Sequence, residues 1–142
     1  MPDVTFYVLA SESEQQRLLF VCRLIEKAYR SGSFCYVLTD TDEQAQRLDD
    51  LLWTFRPGSF IPHQKYAGTL PELKNVILIG TLEPPEAWRK VIINLSANGP
   101  ENMDQAGRIL EVLDANEEIK ARGRRRYRYY QQLGIQTTTH NL

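Results

Sequence analysis

Six basic side chains stand close together near the carboxyl end of the chain, in residues 120–128, KARGRRRYR. That segment has no acidic residue, whereas the other 11 basic residues are outnumbered by 18 acidic ones, so the rest of the molecule carries about −7. A concentrated positive surface on an acidic body attracts one anionic partner while the remaining surface repels polyanions. Tyr127, Tyr129 and Tyr130 add flat apolar faces. The pattern indicates an anion-binding site, and a solvated helix face is the alternative.

Helical spacing divides this segment into an outer and an inner stripe. At about 3.6 residues per turn, the outer stripe comprises Lys120, Arg124, Tyr127 and Arg128. Guanidinium groups bind carboxylates bidentately and a ring holds an apolar side chain, so this set suits a short acidic peptide with a free carboxyl terminus. It also suits single-stranded nucleic acid, through phosphate contacts and base stacking. Arg126 lies near the inner stripe, where we expect its stem to follow the core while its guanidinium stays in water.

A second candidate surface is the loop WTFRPGSFIPH, which follows the second predicted helix. Four of its eleven residues are large and apolar, and prolines stiffen it at positions 57 and 62; the apolar residues are Trp53, Phe55, Phe60 and Ile61. Exposed aromatic side chains of this kind serve as anchors for a protein partner. The alternative is a loop tucked onto the core.

The sequence carries no signal of an active site. The first strand-to-helix turn, LASESEQQ, lacks glycine and carries Glu12 and Glu14. Without glycine the backbone of this turn cannot approach a pyrophosphate closely, and the two glutamate carboxylates repel phosphates. His63 and His140 lie far apart and have no zinc-ligand spacing to a cysteine. We therefore expect no catalytic residue, no metal and no cofactor, and we interpret His63 as a surface hydrogen bonder.

Periodicity along the chain predicts strands that alternate with helices. Short apolar runs indicate strands at residues 4–9, 34–39, 75–79, 91–95 and 109–113, the last of which could also be helical. Amphipathic helices follow the first, the second and the last of these strands, and the polar tail IQTTTHNL is expected to be extended or loose. This order predicts a three-layer α/β fold with a largely parallel central sheet and no dinucleotide loop.

Local signals mark the ends and the packing of the predicted helices. Capping boxes are predicted at Asp40 with Glu43 and at Asp114 with Glu117. Gly123 lies inside the last helix, where glycine costs about 1 kcal/mol relative to alanine. That cost indicates close packing at this position, or simple tolerance.

Composition bounds the class of protein. A chain of 142 residues with 42% hydrophobic and 25% charged residues suits one folded domain, residues 1–142, rather than a disordered chain. No apolar run approaches the roughly 20 residues that span a bilayer. The amino terminus has no basic segment typical of a signal peptide, which predicts a cytoplasmic protein. Cys22 and Cys35 fall in apolar patterns and are predicted to be buried thiols.

Over nearly its full length the chain resembles the chi-subunit family of bacterial DNA polymerase III. The resemblance depends on the opening TFYVL, the helix end YRSG, the run RLDDLLWTFRPGSFIPH and the final RRYRYYQQLG. Residues 65–77 differ most from the family pattern. The resemblance implies a Rossmann-like fold and a nonenzymatic adaptor in the clamp-loader assembly, active in DNA replication.

The resemblance also implies partners and the residues that bind them. The acidic carboxyl-terminal tail of single-stranded-DNA-binding protein would bind Lys120, Arg124 and Tyr127, with Leu113 as an apolar wall; helix geometry adds Arg128. The psi subunit would bind the Trp53 and Phe60 positions, with Ile61 and Pro62 as inferred neighbours. A helicase-type protein is a further candidate for that aromatic surface. A module that binds single-stranded nucleic acid directly is the alternative function.

Overall fold

The computed structural model describes residues 2–56, 58 and 60–142. Within these ranges the chain forms seven strands and three α-helices: β1 (Asp3–Val8), α1 (Glu14–Arg30), β2 (Tyr36–Leu38), α2 (Asp42–Thr54), β3 (His63–Lys65), β4 (Ile77–Gly80), β5 (Val91–Asn94), β6 (Arg108–Leu113), α3 (Glu117–Gln132) and β7 (Thr137–Asn141). The strands make one sheet in the order β3-β4-β2-β5-β6-β1-β7. Every described strand pairing is parallel.

The helices cover both faces of the sheet. The apolar stripes of α1 and α2 pack on one face through Leu18, Val21, Cys22, Ile25, Ala45, Leu48 and Leu52. On the opposite face lie α3 and the connections that carry Trp88 and Ala106. The three-layer α/β fold with a parallel central sheet is therefore confirmed.

The central strands are covered on both sides. All four residues of β4 and all four of β5 are buried, as their continuous apolar runs predicted. Residues 109–113, whose apolar pattern also fitted a helix, belong to β6. Pairing with β1 on one side and β5 on the other fixes this segment as a strand.

Two strands had no clear signal in the sequence. The residues of β3, His-Gln-Lys, lie in the proline-rich stretch and pair with β4. The polar residues of β7 add an edge strand beside β1, from Val4 opposite Thr137 to Val8 opposite Asn141. An edge strand presents one side to solvent and tolerates polar residues, so its composition does not distinguish it from an extended tail.

The two predicted capping boxes are wrong by one and two residues. Thr41 and Asn116 cap α2 and α3, each accepting backbone N–H bonds in the first turn. The two aspartates accept hydrogen bonds from other backbone N–H groups. Asp40 accepts from the Ala97 N–H at 3.0 Å, and Asp114 accepts from the Asn116 N–H at 2.9 Å. Asp114 thus closes a turn and Asp40 binds the loop after β5, so in both cases the next polar side chain caps the helix.

The two thiols are buried, as predicted. Cys22 and Cys35 are both 0% exposed. Burial raises the pKa of each thiol to about 12, because desolvation disfavours the thiolate. None of the described helices combines the length and the apolar character that crossing a membrane requires.

Candidate functional site

Close packing at one glycine sets the height of α3 above the sheet. Gly123 faces Leu113 at the end of β6, and a Cβ atom built on Gly123 would collide with the Leu113 side chain. Leu113 is itself only 5% exposed. Of the two readings of Gly123, the structure supports close packing.

A buried ion pair fixes the rotation of α3 about its own axis. Arg126 donates from Nε and Nη2 to the two carboxylate oxygens of Glu111, each at 3.0 Å. Its Nη1 donates to the Ala97 carbonyl at 2.6 Å. The expectation that this guanidinium stays in water is wrong, because Arg126 is 7% exposed and Glu111 is 0% exposed.

Two further side chains complete this network around Glu111. Tyr130 donates its hydroxyl to Glu111 at 2.7 Å, and Asn94 donates its amide at 2.9 Å. Burial, together with the Glu111 carboxylate, raises the pKa of Tyr130 far above its ordinary value. Sequence reasoning missed Glu111 and Asn94. Their signal was one polar residue within each of the apolar runs ILEVL and VIIN, since a strand covered on both faces carries a polar side chain only where it has a partner.

The other basic residues of α3 are not anchored in this way. Arg122 pairs with Glu118 at 2.7 Å on the exposed surface. Lys120 is half-buried, whereas Arg124, Arg125 and Arg128 are exposed. Across the described part of the chain none of these four makes a hydrogen bond or an ion pair. Their charges are therefore available to an anionic ligand.

Tyr127 places an aromatic ring beside these charges. Its ring meets the edge of the buried Phe6 ring at a centroid distance of 5.6 Å and an angle of 63°. The side of α3 that carries Tyr127 faces β1 and β7, because Gln131, one turn further on, donates to the Thr137 hydroxyl at 2.6 Å. Tyr127 remains 38% exposed. The ring is thus held in place from below and open to a ligand from above.

The structure brings the predicted peptide-binding residues together on this side of α3. We call Lys120, Arg124, Tyr127 and Arg128 the basic face. Leu113 lies below Gly123 and is nearly covered, so only its edge is open to a ligand. The basic face is an open surface, and none of its residues lines the clefts of about 930, 610 and 70 Å³ found among the described residues.

The second predicted surface lies at the end of α2. Trp53 and Phe60 are 58% and 64% exposed, and their rings lie 5.6 Å apart. Pro62 is half-buried, and Ile61 is 3% exposed within the core. We call Trp53 and Phe60 the aromatic pair. Positions 57 and 59 of this loop lie outside the described residues.

His63 supports the aromatic pair from beneath. Its side chain is 1% exposed, so the interpretation as a surface hydrogen bonder is wrong. Nδ1 lies 2.7 Å from the Ile61 carbonyl, and Nε2 lies 3.5 Å from a carboxylate oxygen of Asp49. The imidazole ring is 4.7 Å from the Trp53 ring. A buried ring held through Nδ1 limits the positions that Trp53 can adopt.

The other chemistry-bearing side chains lie apart. His140 stacks on Tyr7 at 5.4 Å on the edge strand. In the ranges that the structure covers, no three His, Cys, Asp or Glu side chains are grouped so that they could hold a metal ion. The arrangement at α3 and at the aromatic pair is suited to binding.

Comparison with known proteins gives consistent matches over the full chain. A profile of the family described as DNA polymerase III chi subunit, HolC, matches residues 1–138. A protein named DNA polymerase III subunit chi from Pseudomonas aeruginosa is 32% identical over 142 residues, which cover 100% of this chain and 98% of that protein. Proteins of the same name from Haemophilus influenzae and Escherichia coli are each 25% identical, covering 96% and 98% of this chain and 95% and 97% of their own lengths.

Proposed function

The chain belongs to the DNA polymerase III chi subunit family, and we propose that it is a nonenzymatic adaptor in the clamp-loader assembly during DNA replication. In this proposal it binds the psi subunit with one surface and the acidic carboxyl-terminal tail of single-stranded-DNA-binding protein with another. The observation that carries the proposal is the basic face. Its two exposed guanidinium groups have no carboxylate partner among the described residues, and they lie beside a half-exposed ring.

The chemistry of the basic face matches the end of an acidic peptide. The terminal carboxylate of the peptide pairs with Arg124 through two hydrogen bonds. Its last apolar side chain lies against Tyr127 and the open edge of Leu113. Upstream carboxylates interact with Lys120 and Arg128. We expect micromolar affinity, about −8 kcal/mol, which falls as salt increases because exposed charges are screened.

The aromatic pair supports the second half of the proposal. Trp53 and Phe60 are large, exposed and adjacent, and a ring of this kind anchors a protein partner when it enters a pocket on the opposing surface. The pair is separate from the basic face, since it lies at the end of α2 on the other side of the sheet. One molecule can therefore bind both partners at once. A helicase-type protein that uses the aromatic pair would compete with psi.

Titration of a tail peptide tests the first half directly. We expect Arg124→Ala to weaken binding of a fluorescent peptide with the tail sequence at least tenfold, because a bidentate charge-assisted pair is lost. Fluorescence anisotropy measures the dissociation constant, and circular dichroism checks the fold.

Arg125→Ala is the matched control for this titration. Arg125 is the next residue and is also exposed and free of an ion pair among the described residues, but it lies about 100° further around α3, where it lines a cleft. The Arg125→Ala variant should bind the peptide with an affinity within about twofold of the wild-type value. Wild-type affinity in Arg124→Ala, or equal losses in the two variants, would reject the assignment of the tail to the basic face.

A further inference from the structure

A cleft opens on the opposite side of α3 from the basic face, where the sheet changes the direction of its connections. The chain leaves β2 towards α2 on one face of the sheet, and it leaves the neighbouring β5 towards the other face. The crevice beyond the carboxyl ends of two such strands is the place where open α/β sheets bind ligands. Asp40 follows β2, and Ala97 and Asn98 follow β5; all three line this cleft.

The size of this crevice is that of a ligand site. Its volume is about 610 Å³, within the range of small-ligand sites. One strand further along, the corresponding cleft beside Arg17 and Leu95 has a volume of only about 70 Å³. There the buried Arg17 donates to the carbonyls of Leu95 and Val112 at 3.3 and 2.9 Å. The cleft between β2 and α3 is left open.

One wall of the cleft carries a free cation and a ring. Three arginines of α3 line it, but Arg126 is bound to Glu111 and Arg122 is paired with Glu118. Arg125 is exposed and makes no ion pair within the described ranges. Tyr129 is 52% exposed and lies beside it on the helix.

The other wall carries hydrogen-bonding groups of both kinds. Asp40 accepts from the Ala97 N–H with one carboxylate oxygen, and its second oxygen makes no hydrogen bond within the described part of the chain. Asn98, an exposed residue with a side-chain amide, also lines the cleft. The cleft is therefore lined, among the described residues, by one free guanidinium group, one aromatic ring, one amide residue and one carboxylate that can accept a hydrogen bond.

We propose that this cleft binds one nucleotide of single-stranded DNA. Arg125 contacts the phosphate, Tyr129 stacks on the base, and the free oxygen of Asp40 accepts from an N–H group of the base. A nucleotide carries a single negative charge and a base with N–H donors, so it suits walls of mixed charge. An acidic peptide does not, because its carboxylates would meet the Asp40 carboxylate and its acidic side chains offer no N–H donor to the free oxygen of Asp40.

This site is separate from the basic face and does not depend on the function proposed for it. Arg124 and Arg125 are adjacent in sequence and therefore about 100° apart around the helix. Arg124 lies towards the β7 side with Tyr127, whereas Arg125 lines the cleft beside Ala97. The cleft residues Arg125, Tyr129 and Asp40 are all different from those of the basic face.

The test measures binding of a fluorescent oligothymidylate by anisotropy at low salt. We expect Tyr129→Ala to weaken binding roughly tenfold through loss of stacking. Arg125→Ala should weaken it and should also reduce the slope of log K against log salt by about 0.7, the value for one phosphate contact to a single strand. Arg124→Ala is the control. This variant should bind the tail peptide weakly and bind the oligonucleotide as the wild type does.

Competition identifies the source of the nucleotide. Thymidine monophosphate is expected to bind only weakly if the site is built for a single strand, and weaker binding than that of the oligonucleotide supports the proposal. If thymidine monophosphate binds as tightly, with the same dependence on Tyr129, the cleft is a nucleotide site that serves free nucleotides. Absence of binding by both probes would overturn the proposal. So would equal losses in Arg124→Ala and Arg125→Ala. Displacement of the oligonucleotide by the tail peptide would place the strand on the basic face instead.

Discussion

The basic residues of α3 differ in what each can do, although the sequence presents them as one run. Arg126 is buried in an ion pair with Glu111 and holds the helix in place. Arg122 is paired on the surface. The remaining cations fall on two sides of the helix, with Arg124 beside Tyr127 and Arg125 beside Tyr129. Environment, and not residue type, therefore separates the structural arginine from those that can bind a ligand.

The aromatic pair offers a test at single residues. Trp53→Ala and Phe60→Ala are each expected to weaken binding of the psi subunit by at least 2 kcal/mol, about the threshold for an interface hot spot. Both side chains are more than half exposed, so the free energy of unfolding should change by less than about 0.5 kcal/mol. Isothermal titration calorimetry measures the first quantity and urea unfolding the second.

Tyr129→Ala is the control for the aromatic pair, because Tyr129 is 52% exposed on a different surface. It should bind psi as the wild type does. Full psi binding by both the Trp53 and Phe60 variants would show that psi uses another surface.

Gly123 offers a test of packing. We expect Gly123→Ala to destabilise the protein by about 1–3 kcal/mol, the range for overpacking, because the new methyl group meets Leu113. In an exposed helix the same change would be stabilising. Urea unfolding measures the difference. Adding Leu113→Ala should make Gly123→Ala less harmful than it is in the wild type, and additive effects of the two changes would contradict the proposed contact.

At the scale of elements, α3 is positioned by contacts that come from three strands. Leu113 at the end of β6 sets its distance from the sheet, Glu111 in the middle of β6 sets its rotation, and Phe6 of β1 supports the Tyr127 ring. The edge strand β7 then lies along one side of the helix. A binding face built on one helix is therefore only as well defined as its attachment to β6 and β1.

The buried pair predicts the cost of loosening that attachment. Arg126→Leu leaves the Glu111 carboxylate buried without its cation, and we expect a loss of about 3–5 kcal/mol in the free energy of unfolding. Replacing Glu111 with leucine in the same protein should recover much of that loss, because no charge then remains buried. Chemical denaturation measures both.

Arg125→Leu is the comparison variant for the buried pair, since Arg125 is exposed. Its stability should stay within about 0.5 kcal/mol of the wild type. If Arg126→Leu were as stable as Arg125→Leu, the ion pair would not be the feature that anchors α3.

At the scale of the whole molecule, the two faces of the sheet have different roles. The face covered by α1 and α2 is apolar across its interior, and the aromatic pair lies at its margin. The other face carries a buried polar network, the basic face and the cleft beside α3. The rest of the chain carries a net negative charge, which favours a local contact of the basic residues with one anionic ligand over general binding to polyanions.

The buried thiols predict how the whole fold responds to alkali. Folding raises the pKa of Cys22 and Cys35 from 9.0 to about 12. The unfolded chain therefore loses these protons first as pH rises. Their contribution to stability is complete below about pH 9 and is lost as pH increases from 9 towards 12.

Urea midpoints measured between about pH 8 and pH 11 check this response. The midpoint should fall over that interval, and it should fall less steeply in a variant with Cys22→Ala and Cys35→Ala. The burial of Tyr36 and Tyr130 raises the pKa of both phenols and leaves a residual slope in that variant. Equal steepness in the two proteins would contradict the linkage to the thiols.

The sequence by itself determined the family, the α/β class, the central strands and the separation of a basic and an aromatic surface. These follow from local signals: apolar runs of strand length, three- and four-residue periodicity, and the concentration of charge in residues 120–128. The family match confirms the resemblance stated from those residues. Residue roles within the two surfaces stay predictions until the binding experiments are done.

Tertiary structure alone decided what each polar residue contacts. Arg126 and Arg125 are neighbours of the same type, yet one is buried against Glu111, 15 positions earlier in the chain, and the other faces a cleft built from the ends of β2 and β5. The strand β7 has no apolar pattern and exists because β1 has an unpaired edge. Pairings between distant segments leave no local period in the sequence, because the partner that satisfies a group is set by the folded path of the chain.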